Sequence, residues 1–131
     1  RLRGIAELVT LPYPDFPTDL QSAALVALTA AKGACLIEET IFENRFRIIE
    51  PLQRMGANVY QLDCARALVQ GPVKLKGCQA QALELRGGAA LVVAGLMAEG
   101  ETVISGCDYI CRGYENICRD FRELGARIYC V

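Results

Sequence analysis

The 131 residues are 53% hydrophobic and 22% charged, with a formal net charge of −1, which suits one packed domain and excludes a disordered chain. There is no basic run or basic excess to neutralise a phosphate backbone, so no nucleic-acid partner is expected. The longest apolar segment, Ala89 to Ala98, is interrupted by Gly95 and falls well short of the roughly 18 residues of a membrane span, so no membrane partner is expected either.

The chain opens on Arg1-Leu2-Arg3-Gly4, without Met and without the apolar stretch of a secretory signal. It closes in a strand-like run, Ile128-Tyr129-Cys130-Val131, and both ends read as cut. The seven cysteines read as reduced thiols, most of them buried as small hydrophobes. Cys107 or Cys111, in a polar loop, is the candidate for a reactive one. The spacing Cys107, Cys111, Cys118 contains no CxxC pair and the chain has no His, so no metal and no cofactor are expected.

In chain order, alternation makes Ile5 to Thr10 a first strand, and Pro12, Pro14 and Pro17 force an extended loop after it. Thr18 to Lys32 reads as a helix opened by a capping box, with Thr18 as N-cap and Gln21 three residues later. Gly33 is placed at the C′ position, ahead of a strand at Ala34 to Ile37. Phe46, Ile49, Leu52 and Met55 have the spacing of an amphipathic helix, and Gly56 leads to a further strand. Arg66 to Gly77 reads as a hairpin turning at Gly71-Pro72, with Val73 and Leu75 alternating against Lys74 and Lys76.

The rest repeats this order. Ala98-Glu99-Gly100-Glu101-Thr102-Val103-Ile104 matches Ala31 to Ile37, and Leu124-Gly125-Ala126-Arg127-Ile128-Tyr129 matches Met55 to Tyr60, with two residues inserted between these anchors. Arg112 falls on Arg45. A helix at about Gly88 to Glu99 is the counterpart of the first, and Tyr114, Ile117, Cys118, Phe121 and Leu124 carry the second. The expected architecture is an α/β (α+β) unit of two repeats, about 11–77 and 78–131, with helices stacked on a mixed sheet. Two repeats leave edges uncovered, which fits a piece of a longer array.

Charged residues fall at the loops of this scheme, where a rigid scaffold presents functional groups. Asp19 lies just inside a helix N-terminus, where the dipole favours a carboxylate; it reads either as a helix-start acid or as a general base that would depend on desolvation by substrate. Asn44 reads as the cap of the second helix, with Glu43 and Arg45 beside it. Arg112 before Gly113 at a helix start reads either as a surface Arg or as an anion site, where backbone N–H groups, dipole and planar guanidinium coincide. Glu84 and Arg86 precede the counterpart helix, and Arg86 is the repeat equivalent of Asp19.

Pro17-Thr18-Asp19-Leu20-Gln21, Phe42-Glu43-Asn44-Arg45-Phe46, Arg54-Met55-Gly56-Ala57, Leu85-Arg86, Ala98-Glu99-Gly100 and Arg112-Gly113-Tyr114 together resemble the UDP-N-acetylglucosamine enolpyruvyl transferases (UDP-N-acetylglucosamine 1-carboxyvinyltransferases). The resemblance covers essentially the whole chain but only the C-terminal portion of a much longer enzyme. That enzyme has two domains of β/α units in inside-out barrels, with the site between them. The resemblance implies transfer of enolpyruvyl from phosphoenolpyruvate to the 3′-hydroxyl of UDP-N-acetylglucosamine, releasing phosphate. It also implies a cytoplasmic place in peptidoglycan precursor synthesis, and so in cell wall biogenesis, cell shape and division.

It further implies that Asp19 is the acid–base residue at the sugar 3′-hydroxyl and that Arg112 binds the phosphoenolpyruvate end and helps closure. Arg45 and Arg86 would line the cleft, and Ile41 and Phe42 would meet the UDP-sugar, partly through backbone. Glu84 stands where the family usually has Asp, in Asp-Leu-Arg-Ala, and a carboxylate displaced by about 1 Å can lower a rate about 10²-fold. Tyr109-Ile110-Cys111 stands where the family often has His. The family's reactive Cys loop, with the Lys and Arg that clasp the substrates, belongs to the missing N-terminal portion, a required partner, and none of the seven cysteines here matches it. The fragment alone is expected to be inactive. A shikimate-pathway transferase shares the fold, but Phe42 to Arg45 points to the UDP-sugar branch; an RNA-end-processing cyclase has the same unit, but the net charge of −1 and the missing His count against it. The alternative of another class is a non-catalytic module that self-associates into a homo-oligomer through exposed repeat edges.

Overall fold

The structure, a computed structural model, describes residues 2–131. β1 (Glu7–Thr10) turns Leu8 and Thr10 inward. A proline-bearing loop leads to a 3₁₀ turn at Thr18–Leu20, which runs directly into α1 (Gln21–Thr29). The expected capping box does not form: the Thr18 hydroxyl donates instead to Glu39 Oε1 at 2.7 Å, and Gln21 is fully buried. A carboxylate is the stronger acceptor, and an exposed helix N–H can turn to water.

α1 ends three residues before Lys32, whose backbone instead joins Leu2 and Arg3 in a short parallel bridge. Gly33 therefore opens a strand at φ 126° rather than capping the helix. That strand, β2 (Gly33–Glu39), pairs in parallel with β1 and antiparallel with β4 (Arg66–Gly71), and β4 pairs antiparallel with β3 (Asn58–Gln61). The sheet runs β1-β2-β4-β3 and is mixed, as expected.

The hairpin is β3–β4, turning through 62–65, and not the expected one at Gly71-Pro72. The Asp63 carboxylate accepts from the backbone N–H groups of Ala65 and Arg66, which closes the turn at the other end of β4. Gly71 passes so close over the end of α1 that a Cβ would meet the carbonyl oxygens of Leu28, Thr29 and Ala31. From there Val73 N–H donates to Thr29 O, so the chain leaves the sheet.

α2 (Ile49–Arg54) buries Leu52 and the following Met55 completely. β5 (Gln79–Gln81), α3 (Leu85–Met97), β6 (Val103–Ser105), α4 (Cys107–Cys111) and α5 (Ile117–Glu123) follow. β5 and β6 pair in parallel, as β1 and β2 do. The expected polar loop around Cys107 and Cys111 is the short helix α4. α1 and α3 pack on each other, and α3 buries every residue from Gly87 to Val92. A helix apolar on nearly all sides belongs at the centre, with sheets outside it.

The main core joins Leu25, Val26, Ile37, Leu52, Val59 and Leu91; a smaller one holds Ala82, Val92 and Ile110. Coverage around the smaller core is thin: Leu124 is 81% exposed, where Met55 is 0%. Ile128 to Val131 is not a strand, because no strand lies beside it among the described residues and an extended run needs a paired neighbour. Nor are the cysteines mostly buried. Cys35 and Cys118 are, Cys78 is half-buried, and Cys64, Cys107, Cys111 and Cys130 are exposed. Among the described residues no helix is long and apolar enough to cross a membrane.

Candidate functional site

The site is built around the starts of the two central helices. Glu84 is the N-cap of α3, and its carboxylate accepts from the backbone N–H groups of Arg86, at 3.0 Å, and Gly87. A Cβ at position 87 would stand 2.5 Å from Glu84 Oε1, so glycine here makes room for a glutamate cap. Glu84 Oε2 also lies 3.9 Å from Arg45 Nη1. Arg45 is only 9% exposed, and its guanidinium stacks 4.7 Å over the Phe42 ring.

At the start of α1, Asp19 is held by Arg86, whose Nε donates to Asp19 Oδ1 at 2.5 Å across 67 positions of sequence. Both groups reach solvent, with side-chain exposures of 63% for Asp19 and 36% for Arg86. Asp19–Arg86 and Arg45–Glu84 thus form two adjacent ion pairs, joined through the first turn of α3. Ile41 and Phe42 lie on the loop after β2. Asn44 does not cap α2, whose N-cap is Ile48, but takes a left-handed φ of 57° that turns this loop.

Arg112 stands apart from these pairs. It does not open a helix as expected but is the C-cap of α4, because α5 starts only at Ile117, so no helix N-terminus adds to its charge; its guanidinium lies 5.0 Å over the Tyr109 ring. The neighbouring Gly113 packs so closely on Leu85 that a Cβ would meet the Leu85 methyl at 2.7 Å, which keeps this loop beside the start of α3. Among the described residues Arg112 makes no ion pair, so its donors are available to an anion.

Sequence reasoning missed Glu39. It is 4% exposed, and its Oε2 accepts from the Thr10 hydroxyl at 2.6 Å and from the Ile41 and Phe42 N–H groups at 3.1 and 3.5 Å. Its Oε1 takes the Thr18 hydroxyl at 2.7 Å. One buried carboxylate thereby ties β1, the turn carrying Asp19 and the loop carrying Ile41 and Phe42. The signal was present in the alternation of β2: Cys35, Ile37 and Glu39 share the inward face, and an inward carboxylate must be satisfied there.

The crevice lined by Glu84 and Gly87 encloses only about 10 Å³, so the site is an open face rather than a closed pocket. A larger depression, lined by Phe46, Arg47, Ile49, Glu50, Gln53, Tyr60 and Gln61, includes none of the residues expected in the site. No group of three metal-ligating side chains converges among the described residues. The arrangement supplies one exposed carboxylate held by Arg86, a buried Arg45 beside it and, on a separate loop, Arg112 without an ion pair, which suits an anionic substrate with a proton to remove.

Comparison with known proteins shows the family and the fold. The family model for EPSP synthase (3-phosphoshikimate 1-carboxyvinyltransferase) matches residues 1–121. The UDP-N-acetylglucosamine 1-carboxyvinyltransferase of Desulfofundulus thermocisternus is 50% identical over 94% of the chain, and that of Magnetococcus marinus is 52% identical over 97%. The chain spans 50% and 30% of the lengths of these two relatives. The crystal structure of the enolpyruvyl transferase NikO from Streptomyces tendae superposes with a TM-score of 0.85 at 27% identity, over 95% of this chain and 28% of that one. EPSP synthase from Acinetobacter baumannii matches 66% of this chain with a TM-score of 0.57 at 25% identity. The α/β fold is that of the enolpyruvyl transferases, and the chain belongs to the EPSP synthase family of carboxyvinyltransferases, where it is similar to part of the UDP-N-acetylglucosamine enzymes.

Proposed function

We propose that this chain is part of a cytoplasmic transferase that moves enolpyruvyl from phosphoenolpyruvate to the 3′-hydroxyl of UDP-N-acetylglucosamine, in peptidoglycan precursor synthesis. Its two units, about 11–77 and 78–131, supply one wall of the cleft. The N-terminal portion of the enzyme supplies the other wall and is a required partner. The observation that carries this reading is the Asp19–Arg86 pair at the starts of the two central helices, with Arg45 and Glu84 next to it.

In this reading Asp19 accepts the proton of the sugar 3′-hydroxyl as the oxygen attacks C2 of phosphoenolpyruvate and C3 takes a proton; loss of a C3 proton then restores the double bond and expels phosphate from C2. Arg86 orients that carboxylate until the hydroxyl takes its place. Arg112, free of carboxylate partners, binds the phosphoenolpyruvate end and moves with closure, while Arg45 and Glu84 shape the wall between. Ile41 and Phe42 meet the UDP-sugar on the loop that Glu39 fixes. Negative charge on the carboxylate and the departing phosphate of phosphoenolpyruvate is offset by guanidinium groups already in place.

The test is a hybrid in which these residues replace the matching segment of the Magnetococcus marinus relative, assayed by phosphate release. The hybrid is expected to turn over, and Asp19→Asn in it to lower kcat by about 10²-fold or more with little change in KM for the UDP-sugar. Turnover within a few-fold of the unsubstituted hybrid would remove Asp19 from the base role. A hybrid that folds but releases no phosphate would remove the reading itself.

A further inference from the structure

The smaller core carries a feature that the transferase reading does not use. At the end of α5, Gly125 takes φ 94° and donates to Arg122 O at 2.9 Å, and Ala126 N–H donates to Phe121 O at 2.9 Å. This folds the final residues back along the helix and sets Ile128 against the Val92 and Ile110 cluster. The same turn occurs at Gly56, with φ 92° and matching bonds to Gln53 O and Leu52 O. In the first unit the residues aligned by that turn are Ile49 and Gln61; in the second they are Cys118 and Cys130.

Cys130 Sγ donates to Cys118 Sγ at 2.7 Å. A disulfide bond is about 2.05 Å, so the sulfurs need approach by only about 0.65 Å, well within side-chain adjustment. One partner is reachable from solvent and the other is not: Cys130 is exposed, and Cys118 is 6% exposed on α5. That is the layout of an attacking thiol beside a resolving one.

We propose that Cys118 and Cys130 form a thiol–disulfide site that reacts with low-molecular-weight disulfides of the glutathione class. The Cys130 thiolate attacks one sulfur of the small disulfide, which breaks its S–S bond and releases one small thiol. The Cys118 thiolate then attacks Cys130 Sγ in the mixed disulfide, forming the internal S–S bond and releasing the second small thiol. The protein loses two electrons and two protons, and the small disulfide is reduced to two thiols.

The second step is the slow one at neutral pH. In the reduced pair, burial, then the hydrogen bond and charge of Cys130, push the Cys118 thiol up to about 11; in the mixed disulfide the Cys130 contributions are gone, and burial still holds the thiol above its ordinary value. The rate of closure should therefore rise with pH, by up to about tenfold per unit while Cys118 is mostly protonated. Cys107, itself raised by burial and by Cys130, is the neighbouring competitor. The site shares no residue with the Asp19–Arg86 face, so it stands or falls independently of the transferase reading.

The test treats the reduced chain with oxidised glutathione at pH 7 and pH 9, followed by intact mass and non-reducing peptide mapping. The expected product is a Cys118–Cys130 disulfide without bound glutathione, formed faster at pH 9, while exposed Cys64 reports ordinary mixed-disulfide formation. Cys130→Ser, at an exposed position, should leave Cys118 a free thiol. Cys118→Ser should raise the glutathione retained on Cys130 by about tenfold or more. Glutathione persisting on Cys130 in the unsubstituted chain at pH 9 would overturn the proposal, and so would Cys107 replacing either partner.

Discussion

Removing the Glu39 carboxylate tests whether one buried group organises the face that carries Asp19, Ile41 and Phe42. Glu39→Ala deletes three good acceptor contacts, from Thr10 at 2.6 Å, Thr18 at 2.7 Å and Ile41 N–H at 3.1 Å, plus a long one from Phe42 N–H. A hydrogen bond to a charged group contributes about 1.5–3 kcal/mol, but the simple sum overshoots. The threonine hydroxyls can turn to other acceptors, and burying the carboxylate has its own desolvation cost. The net loss expected is about 3–4 kcal/mol, out of a total stability of roughly 5–15 kcal/mol for a domain. In a scan this corresponds to a fall in Tm of about 10 °C.

Glu39→Gln keeps one carbonyl acceptor, and its amide can donate to a threonine oxygen, so it should lose only about 1–2 kcal/mol. The assay is urea unfolding followed by far-UV circular dichroism, with hydrogen exchange at the Ile41 and Phe42 amides as a local readout. Both amides should exchange faster in Glu39→Ala than in the parent. A loss below about 1 kcal/mol with unchanged exchange would show that the loop is fixed by something other than this carboxylate.

Two further predictions follow from the turn after β3 and the cap of α3. The Arg66 side chain beside Asp63, helped by the Ala65 and Arg66 N–H groups, holds the Asp63 carboxyl below its ordinary range. A lowered folded value means that its contribution is present above the ordinary carboxylate value of about 3.9 and is lost as pH falls through the lowered one. A carbon-detected NMR titration should find its midpoint below about 3.9 and moved back up by Arg66→Gln; an unmoved midpoint would refute the assignment. For the cap, Glu84→Asp and Gly87→Ala should each destabilise the chain, and the double variant should lose less than the sum by about 0.5 kcal/mol or more. A short cap suits a Cβ at position 87 and a long one does not. Strict additivity would show that the two positions are independent.

Several parts of this molecule were legible residue by residue. Glycines with a required positive φ, at 56 and 125, marked the same turn after α2 and after α5, because that backbone conformation strains any side chain. The alternation of β1, the apolar run of β2 and the apolar stretch of α3 announced two strands and a helix, though not that the helix would lie at the centre. The charged loop residues Asp19, Arg45, Glu84 and Arg86 stood out because they interrupt that pattern. What failed were choices between local alternatives. Gly71-Pro72 is stronger punctuation than Asp63 in a local reading, yet Gly71 serves a close crossing over α1 and Asp63 closes the hairpin. Thr18 is a good N-cap in isolation, yet its hydroxyl is taken by a carboxylate 21 positions away.

The sequence by itself determined the succession from β1 to β3, the long helix α3, the apolar faces and the types of side chain on the exposed loops, since these depend on backbone preference and periodicity within a few residues. Only the tertiary structure decided which of them meet. Asp19 reaches Arg86 across 67 positions, Thr10 reaches Glu39 across 29, and Cys118 finds Cys130 because a left-handed glycine folds the chain back along its own helix. Such pairings depend on how two central helices and a mixed sheet pack, and packing is a property of the whole chain rather than of any window along it.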